Sequence, residues 1–225
     1  RVAACVAAMR AAVAIPVTVK TRIGIDDLDS FAYLRDFAAR LFDAGCDVLI
    51  VHARKAWLGG LSPKQNRTVP PLQPERVYRL KQALPDLPVV LNGGVTSLDA
   101  AAAHLAHVDG VMIGRAAYHD PYMLAAADRR LFGDDHPVPA REAVARAMIP
   151  YIETQVAAGV PVHAVTRHMI GLFNGVPGAR AWRRHLSEAA CRRGAGSDPK
   201  AAGGVIEAAL AAREEAARTT SRTAA

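Results

Sequence analysis

Short apolar runs and amphipathic runs alternate along the first half of the chain. Pro16-Val-Thr-Val-Lys20 is a brief β-branched strand. Phe31–Leu41 follows, with Phe31, Leu34, Phe37 and Leu41 on one face of a helix. Asp29 or Ser30 fits its N-cap, and Gly45 fits the position just past its end. Asp47–His52 is apolar between its ends, the pattern of a strand covered on both faces. A helix over Glu75–Leu84, a strand over Pro88–Asn92, a helix from Ser97 to about Ala106 and a strand over Gly110–Gly114 complete the series. A short helical region at Ala117–Ala127 comes next. Such alternation builds a parallel sheet, and four units in about 115 residues amount to half of a (β/α)8 barrel. A doubly wound sheet has the same local pattern.

The pattern changes at Phe132-Gly-Asp-Asp-His-Pro-Val-Pro139, which has the composition of a linker. Beyond it the strand pattern stops. Helical runs at Arg141–Ala158, His163–Phe173, Ala179–Ala190 and Lys200–Ala217 predict a small antiparallel bundle. Gly159-Val-Pro161, Gly175-Val-Pro-Gly178 and Gly194–Gly196 punctuate them, and Thr219–Ala225 are expected to fray. The predicted class is α/β. Residues 1–131 form the C-terminal half of a (β/α)8 TIM barrel, 132–139 a linker, and 140–225 a small all-α helical bundle domain.

Composition adds to this picture. Apolar residues are 51% of the 225, which excludes intrinsic disorder for most of the chain. The 46 alanines favour helix over strand. No stretch has 18 unbroken apolar residues, so no membrane span is expected. The chain opens at Arg1 on an apolar, helix-patterned run, Val2–Val13, that lacks the features of a signal peptide. It reads as a chain entered in mid-helix, and an N-terminally truncated protein is expected. Cys5, Cys46 and Cys191 have neither metal nor disulfide spacing and are expected as small buried hydrophobes in a reducing cytoplasm. The formal charge of +7 is uneven: residues 1–139 carry 16 basic and 14 acidic side chains, residues 140–225 carry 12 and 7. A basic C-terminal third suits an anionic polymer or, equally, a solvated surface.

The predicted strands end in Lys20, His52, Asn92-Gly93-Gly94 and Gly114-Arg115. In a parallel barrel these ends open on one face, where active sites lie, so groups 22 to 40 residues apart converge. Glycines at 93, 94 and 114 let the backbone approach a ligand. A helix start at Ser97 favours an anion, and Arg115 offers a planar fork suited to phosphate. These features predict a phosphate site; tight turns without a ligand are the alternative. Lys20 suits a Schiff base, an anion contact, charge on a reduced flavin, or an ordinary surface role. His52 suits a base, a donor to a ligand, or a satisfied core histidine. His104, His107 and His119 form no ligand constellation, and no metal is expected.

The long loop after His52 carries Arg54, Lys55, Lys64 and Arg67 without an acid, together with Trp57 and Asn66. Loops of this length in a compact domain are usually functional, and basic with aromatic residues suit single-stranded or distorted nucleic acid. Arg180, Arg183 and Arg184 share a helical face beside Trp182, with His185, Arg192 and Arg193 nearby and Glu188 opposing. A row of guanidiniums beside an indole reads as binding of backbone phosphate.

Several of these stretches resemble one family. Val17-Thr-Val-Lys-Thr-Arg-Ile-Gly-Ile25, Val51-His-Ala-Arg-Lys-Ala-Trp-Leu58, Leu61-Ser-Pro-Lys-Gln-Asn-Arg67, Pro70-Pro-Leu72, Leu91-Asn-Gly-Gly94 and His107-Val-Asp-Gly-Val-Met-Ile-Gly-Arg115 are similar to the tRNA-dihydrouridine synthases of the A type. Arg167-His-Met-Ile-Gly-Leu-Phe173 and Gly178-Ala-Arg-Ala-Trp-Arg-Arg-His-Leu-Ser-Glu188 resemble that family's C-terminal domain. The resemblance runs in order from residue 1 to about 190. It implies a flavin-bearing barrel and a helical tRNA-recognition domain, using FMN and NADPH to reduce the C5–C6 double bond of uridines 20 and 20a in the D-loop. NADPH reduces the flavin, the flavin gives hydride to C6 of a flipped-out uridine, and a cysteine protonates C5. By resemblance, Lys20 and His52 contact the isoalloxazine and uracil region; Asn92, Gly93, Gly94, Gly114 and Arg115 hold the FMN phosphate; Asn66, Arg67, Arg180 and Arg183 meet tRNA.

One departure stands out. The family's catalytic cysteine lies in an Asn-x-Gly-Cys-Pro-like loop before the strand ending in Lys20, and that loop does not occur in the sequence. Cys5 is not its equivalent, so no catalytic residue is assigned within the chain and the proton donor is expected upstream of residue 1. Open sheet edges and an uncovered interior lead to the expectation that this polypeptide alone is inactive, binds FMN poorly and aggregates. The full-length protein is expected to be cytoplasmic and monomeric. Competing readings are a dihydroorotate-dehydrogenase-like flavin or phosphate barrel, which leaves the basic helices unexplained, and a non-catalytic RNA-binding module, which leaves the strand-end groups unexplained.

Overall fold

Alternation of the first half resolves into four parallel strands with helices between them: α1 (Val2–Ala12), β1 (Thr18–Arg22), α2 (Phe31–Asp43), β2 (Val48–His52), α3 (Pro74–Ala83), β3 (Val89–Asn92), α4 (Leu98–Leu105) and β4 (Gly110–Met112). The computed structural model describes residues 1–189 and 198–223, and they group into two units, Arg1–Gly114 and Arg115–Ala225. Within the first, the strand order is β1-β2-β3-β4, all parallel. Sequential order without reversal is that of a (β/α)8 barrel and not of a doubly wound sheet, whose order reverses at a switch point. The architecture is that of part of a TIM barrel followed by an all-helical unit.

Local chemistry sets these elements. Ser30 accepts the Tyr33 N–H at 3.1 Å and starts α2, and Gly45 at φ +91 lies just past its end. Leu34, Ala38 and Leu41 of α2 are buried with Leu49 and Val51 of β2, Val77 and Leu80 of α3, and Val89 and Leu91 of β3. Phe31 and Phe37 are partly buried on the same core, and the Arg79 guanidinium lies 3.9 Å from the Phe31 ring centre. Two aspartates fasten the strand starts. Asp47 accepts the Val17 N–H at 2.7 Å and donates its own N–H to the Val17 carbonyl at 2.9 Å. Asp109 does the same with Val89, at 2.8 and 3.1 Å, and also holds the Lys81 ammonium at 2.9 Å. Burial alone raises the Asp109 carboxyl, but the Lys81 ammonium and the Val89 N–H outweigh it, and the net shift is downward.

Two expectations about the first unit need correction. β1 runs to Arg22 instead of ending at Lys20, because Thr21 and Arg22 continue the ladder opposite Val51 and His52. Cys46 is buried as expected, and burial pushes its thiol up. Cys5 is exposed: α1 buries Val6 against the core, and Cys5 lies off that stripe. Cys191 lies outside the described residues.

The second unit is helical: α5 (Arg115–His119), a 3₁₀ stretch at Pro121–Ala126, α6 (Ala127–Leu131), α7 (Arg141–Ala147), α8 (Ile149–Ala157), α9 (Val162–Thr166), a 3₁₀ turn at Ile170–Phe173, α10 (Ala179–Ala189) and α11 (Pro199–Thr223). Residues 132–140 carry neither helix nor strand. The helix predicted over Arg141–Ala158 divides at Met148 because Pro150, in the first turn of α8, has no N–H for the preceding turn. The run predicted over His163–Phe173 also divides; Gly171 packs on the His119 carbonyl carbon, where a Cβ would come within 2.9 Å. α11 extends past the predicted end at Ala217, with Thr219 and Thr220 donating to the Glu215 and Ala216 carbonyls at 3.0 and 2.9 Å. Ile152, Phe173, Trp182, Leu186 and Ile206 form the centre of its core. No helix among the described residues is long and apolar enough to cross a membrane.

Candidate functional site

The strand register builds one row across the sheet: Arg22 opposite His52, His52 opposite Asn92, Asn92 opposite Met112. Side chains alternate along a strand, so these four residues share the face opposite the one presenting the buried Val51 and Leu91. Lys20 lies one layer below, opposite Ile50. The sheet thus brings together Lys20, His52 and Asn92 as the sequence predicts, and adds Arg22, which the early end assigned to β1 had hidden. Asn92 spends its Nδ2 on the Met112 carbonyl at 2.8 Å, tying β3 to β4. His52 is 8% exposed, and Gly93 lies against its ring. At φ +105, a Cβ on residue 93 would come 2.7 Å from His52 Nε2. Gly94 follows at φ +74. The two glycines turn the chain sharply beyond β3 and leave the imidazole its place. Ser97 caps α4 by accepting the Ala100 N–H at 3.1 Å. Gly114 closes the first unit, with open space where a Cβ would stand, and Arg115 opens α5 of the second.

Positive charge concentrates beside this row. Burial first, then the neighbouring Arg67 and Arg54, lowers the Arg22 guanidinium from its ordinary range. Partial burial and Arg22 lower the Lys20 ammonium. Arg54 donates to the Pro70 carbonyl, while its Nε is buried without a partner among the described residues. A cavity of about 460 Å³ adjoins Lys20, along β1 and between it and Tyr33, Leu34 and Phe37 of α2. His52, Asn92, Gly93 and Gly94 do not line it.

The basic loop is laced rather than free. Arg22 Nη1 donates to the Lys55 carbonyl at 3.0 Å and to the Asn66 carbonyl at 2.8 Å. Asn66 accepts the Trp57 N–H at 2.9 Å and donates to the Trp57 carbonyl at 2.5 Å. Lys55 pairs with Asp29 at 2.8 Å, and that hydrogen bond holds the Asp29 carboxyl below its usual range. Asp26, in the left-handed region at φ +44, donates to the Ala56 carbonyl at 2.8 Å and accepts the Leu58 N–H at 2.9 Å. The sequence offered one signal for this lacing: three aspartates at 26, 27 and 29 facing a loop without acids. Asn66→Ala is expected to remove both Trp57 bonds and cost loop order of about 1–3 kcal/mol; faster amide exchange at Trp57 and Leu58, with exchange in β2 unchanged, is the check.

Arg180 and Arg184 are exposed on α10, whereas Arg183 is half-buried and donates to Asn174 Oδ1 at 3.2 Å. Trp182 does not join them: it is fully buried, and its Nε1 donates to the Met169 carbonyl at 3.1 Å. The indole is core, because its position on α10 falls with Leu186 on the inward stripe. Arg192 and Arg193 lie outside the described residues. Among the described residues no group of three or more His, Cys, Asp or Glu is placed to hold a metal ion.

The chain also has relatives among known proteins. Residues 1–207 match the family described as Dihydrouridine synthase (Dus). The tRNA-dihydrouridine(20/20a) synthase of Shewanella oneidensis is 57% identical over 195 residues, covering 87% of this chain and 58% of that protein. Its namesake in Vibrio cholerae is 54% identical over 211 residues, covering 93% and 63%. That of Escherichia coli K12 is 56% identical over 195 residues, covering 86% and 56%. The chain therefore spans about three-fifths of the length of these relatives. On the match across nearly its whole length, the chain belongs to the dihydrouridine synthase family.

Proposed function

We propose that the chain is the flavin- and tRNA-binding part of an enzyme that reduces uridines 20 and 20a of tRNA to dihydrouridine with NADPH, residues 140–225 being its RNA-recognition domain. The observation that carries this reading is the strand-end row, Arg22, His52 and Asn92, with Lys20 below it and the Gly93-Gly94 turn beside it. Its donor set fits FMN. The row offers cations and N–H donors, Arg54 Nε is a buried donor without a partner among the described residues, and Gly114 leaves open space. Bound flavin supplies the hydride chemistry at the uracil. The chain's own residues bind and orient. Lys20 holds positive charge beside the isoalloxazine and uracil region. His52, its ring fixed by Gly93, presents a donor. Asn92, Gly93, Gly94, Gly114 and Arg115 take the phosphate. Asn66 acts through the loop it organises, while Arg67, Arg180 and Arg183 meet tRNA phosphates. No residue of this chain is assigned as the proton donor. The enzyme works in the cytoplasm as a monomer.

Lys20→Ala in the whole protein is expected to weaken FMN binding at least tenfold and to change tRNA affinity less than twofold, followed by flavin fluorescence and by filter binding. In the unsubstituted protein the charge of Lys20 disappears at lower pH than that of an ordinary lysine, because its pKa is lowered. Its contribution to flavin affinity is therefore lost as pH rises through that lowered value, earlier than for an ordinary lysine. Unchanged flavin affinity in the variant removes Lys20 from the site. A whole protein without flavin colour and without NADPH-dependent loss of uridine from tRNA overturns the reading.

A further inference from the structure

We propose that a groove in the second unit, beside His168, holds an unstacked nucleobase of the bound RNA; the proposal rests on the RNA reading above. The groove encloses about 450 Å³ between α7, α8 and α9, within the roughly 300–1,000 Å³ range of small-ligand sites. Its floor is apolar, formed by Val144, Met148, Met169 and Leu172, and its lining includes no carboxylate. One wall is Tyr151, 51% exposed and so available as a stacking face.

A continuous polar and aromatic path runs along this site. Arg183 donates to Asn174 at 3.2 Å, and Asn174 donates to the His119 carbonyl. The preceding residue, Tyr118, is 57% exposed and meets His168 edge-on, with its hydroxyl 3.1 Å from His168 Nδ1. Arg167 Nε donates to His168 Nε2 at 3.1 Å. The path thus carries a guanidinium at each end, aromatic rings between them, and no carboxylate. Asp120, which follows His119 in the chain, lies 3.9 Å from Arg141. Arg167 and Arg183 do not line the slot but end the path that reaches it at His168, and cations flanking an apolar slot with an aromatic wall suit a polyanion whose bases leave the stack: phosphates pair with the cations and one base enters the slot. An apolar peptide would find the floor but would leave the cations unanswered.

The test uses a tRNA transcript and fluorescence anisotropy at several salt concentrations. Tyr151→Ala removes the exposed wall, and Ala164→Trp fills the slot from a half-exposed position. Each is expected to weaken binding by about 5- to 150-fold while the slope of log K against log[salt] stays unchanged, since a base contact releases no counterion. Arg183→Ala is expected to weaken binding and flatten that slope by about one. Unaltered tRNA affinity in both slot variants overturns the proposal and leaves the RNA reading standing. A flattened slope in Tyr151→Ala assigns the site to phosphate and overturns it. So does a loss of self-association in Ala164→Trp without loss of tRNA affinity, which assigns the slot to a second copy of the chain. An unsubstituted protein that does not bind tRNA overturns the RNA reading itself, and the slot proposal falls with it.

Discussion

Trp182→Ala is expected to destabilise the second unit by about 3–5 kcal/mol, measured as a fall in the urea midpoint by circular dichroism. The indole is fully buried at the junction of α10 with the Ile170–Phe173 turn. It packs on Phe173 with ring centres 4.7 Å apart at 59°, a geometry worth about 0.5–1.5 kcal/mol beyond the buried area. Its Nε1 bond at 3.1 Å is given to the Met169 carbonyl, which also accepts the Leu172 N–H at 3.0 Å, so truncation opens a cavity and also removes one of that carbonyl's two donors. Trp182→Phe separates the two losses. It is expected to restore most of the packing and to remain about 1 kcal/mol below the parent through the missing N–H. A fall of less than about 1 kcal/mol in the alanine variant would mean that the core closes over the gap.

Gly93→Ala is expected to be the most damaging single methyl group in the first unit. Two separate costs meet there. The backbone at φ +105 lies where L side chains are strained by about 1–3 kcal/mol. The added Cβ would also stand 2.7 Å from His52 Nε2, with the ring's Cδ2 nearer still, so the imidazole must turn out of the strand-end row. Flavin affinity is therefore expected to drop by two orders of magnitude or more, and stability to fall by about 2–4 kcal/mol. Gly59→Ala is the control: a Cβ there meets nothing within 4 Å, and stability is expected to change by less than about 0.5 kcal/mol. Equal effects at the two positions would show that loop flexibility, and not the fit to His52, decides the outcome.

Much of this fold was legible because two periods dominate its chain. The apolar runs at Asp47–His52 and Pro88–Asn92 and the stripe Phe31, Leu34, Phe37, Leu41 point to the elements that the structure places at Val48–His52, Val89–Asn92 and Phe31–Asp43. The site was legible for the same reason, since parallel strands carry their last residues to one row whatever separates them in sequence. What escaped depends on partners distant in sequence. Arg22 belongs to the row only because Thr21 and Arg22 find a ladder opposite Val51 and His52. The clasp of the Asn66 amide on the Trp57 backbone spans nine residues of irregular loop, where no period points to it. Trp182, set among arginines, faces inward because Leu186 shares its side of α10. Cys5 has the apolar neighbours of a core residue but lies off the stripe that α1 buries.

The aspartate fastenings at Val17 and Val89 grip the start of their strands, whereas Arg22, His52 and Asn92 occupy the finish. Fastening and the proposed ligand row are thus segregated along the strand axis. Acid separates them as well. The lowered Asp109 carboxyl contributes stability above the ordinary carboxylate range and surrenders it as pH falls through its own lower value. Only acid below the ordinary carboxylate range therefore loosens the Asp109 fastening, and the Lys20 and Arg22 cations are still charged when it lets go.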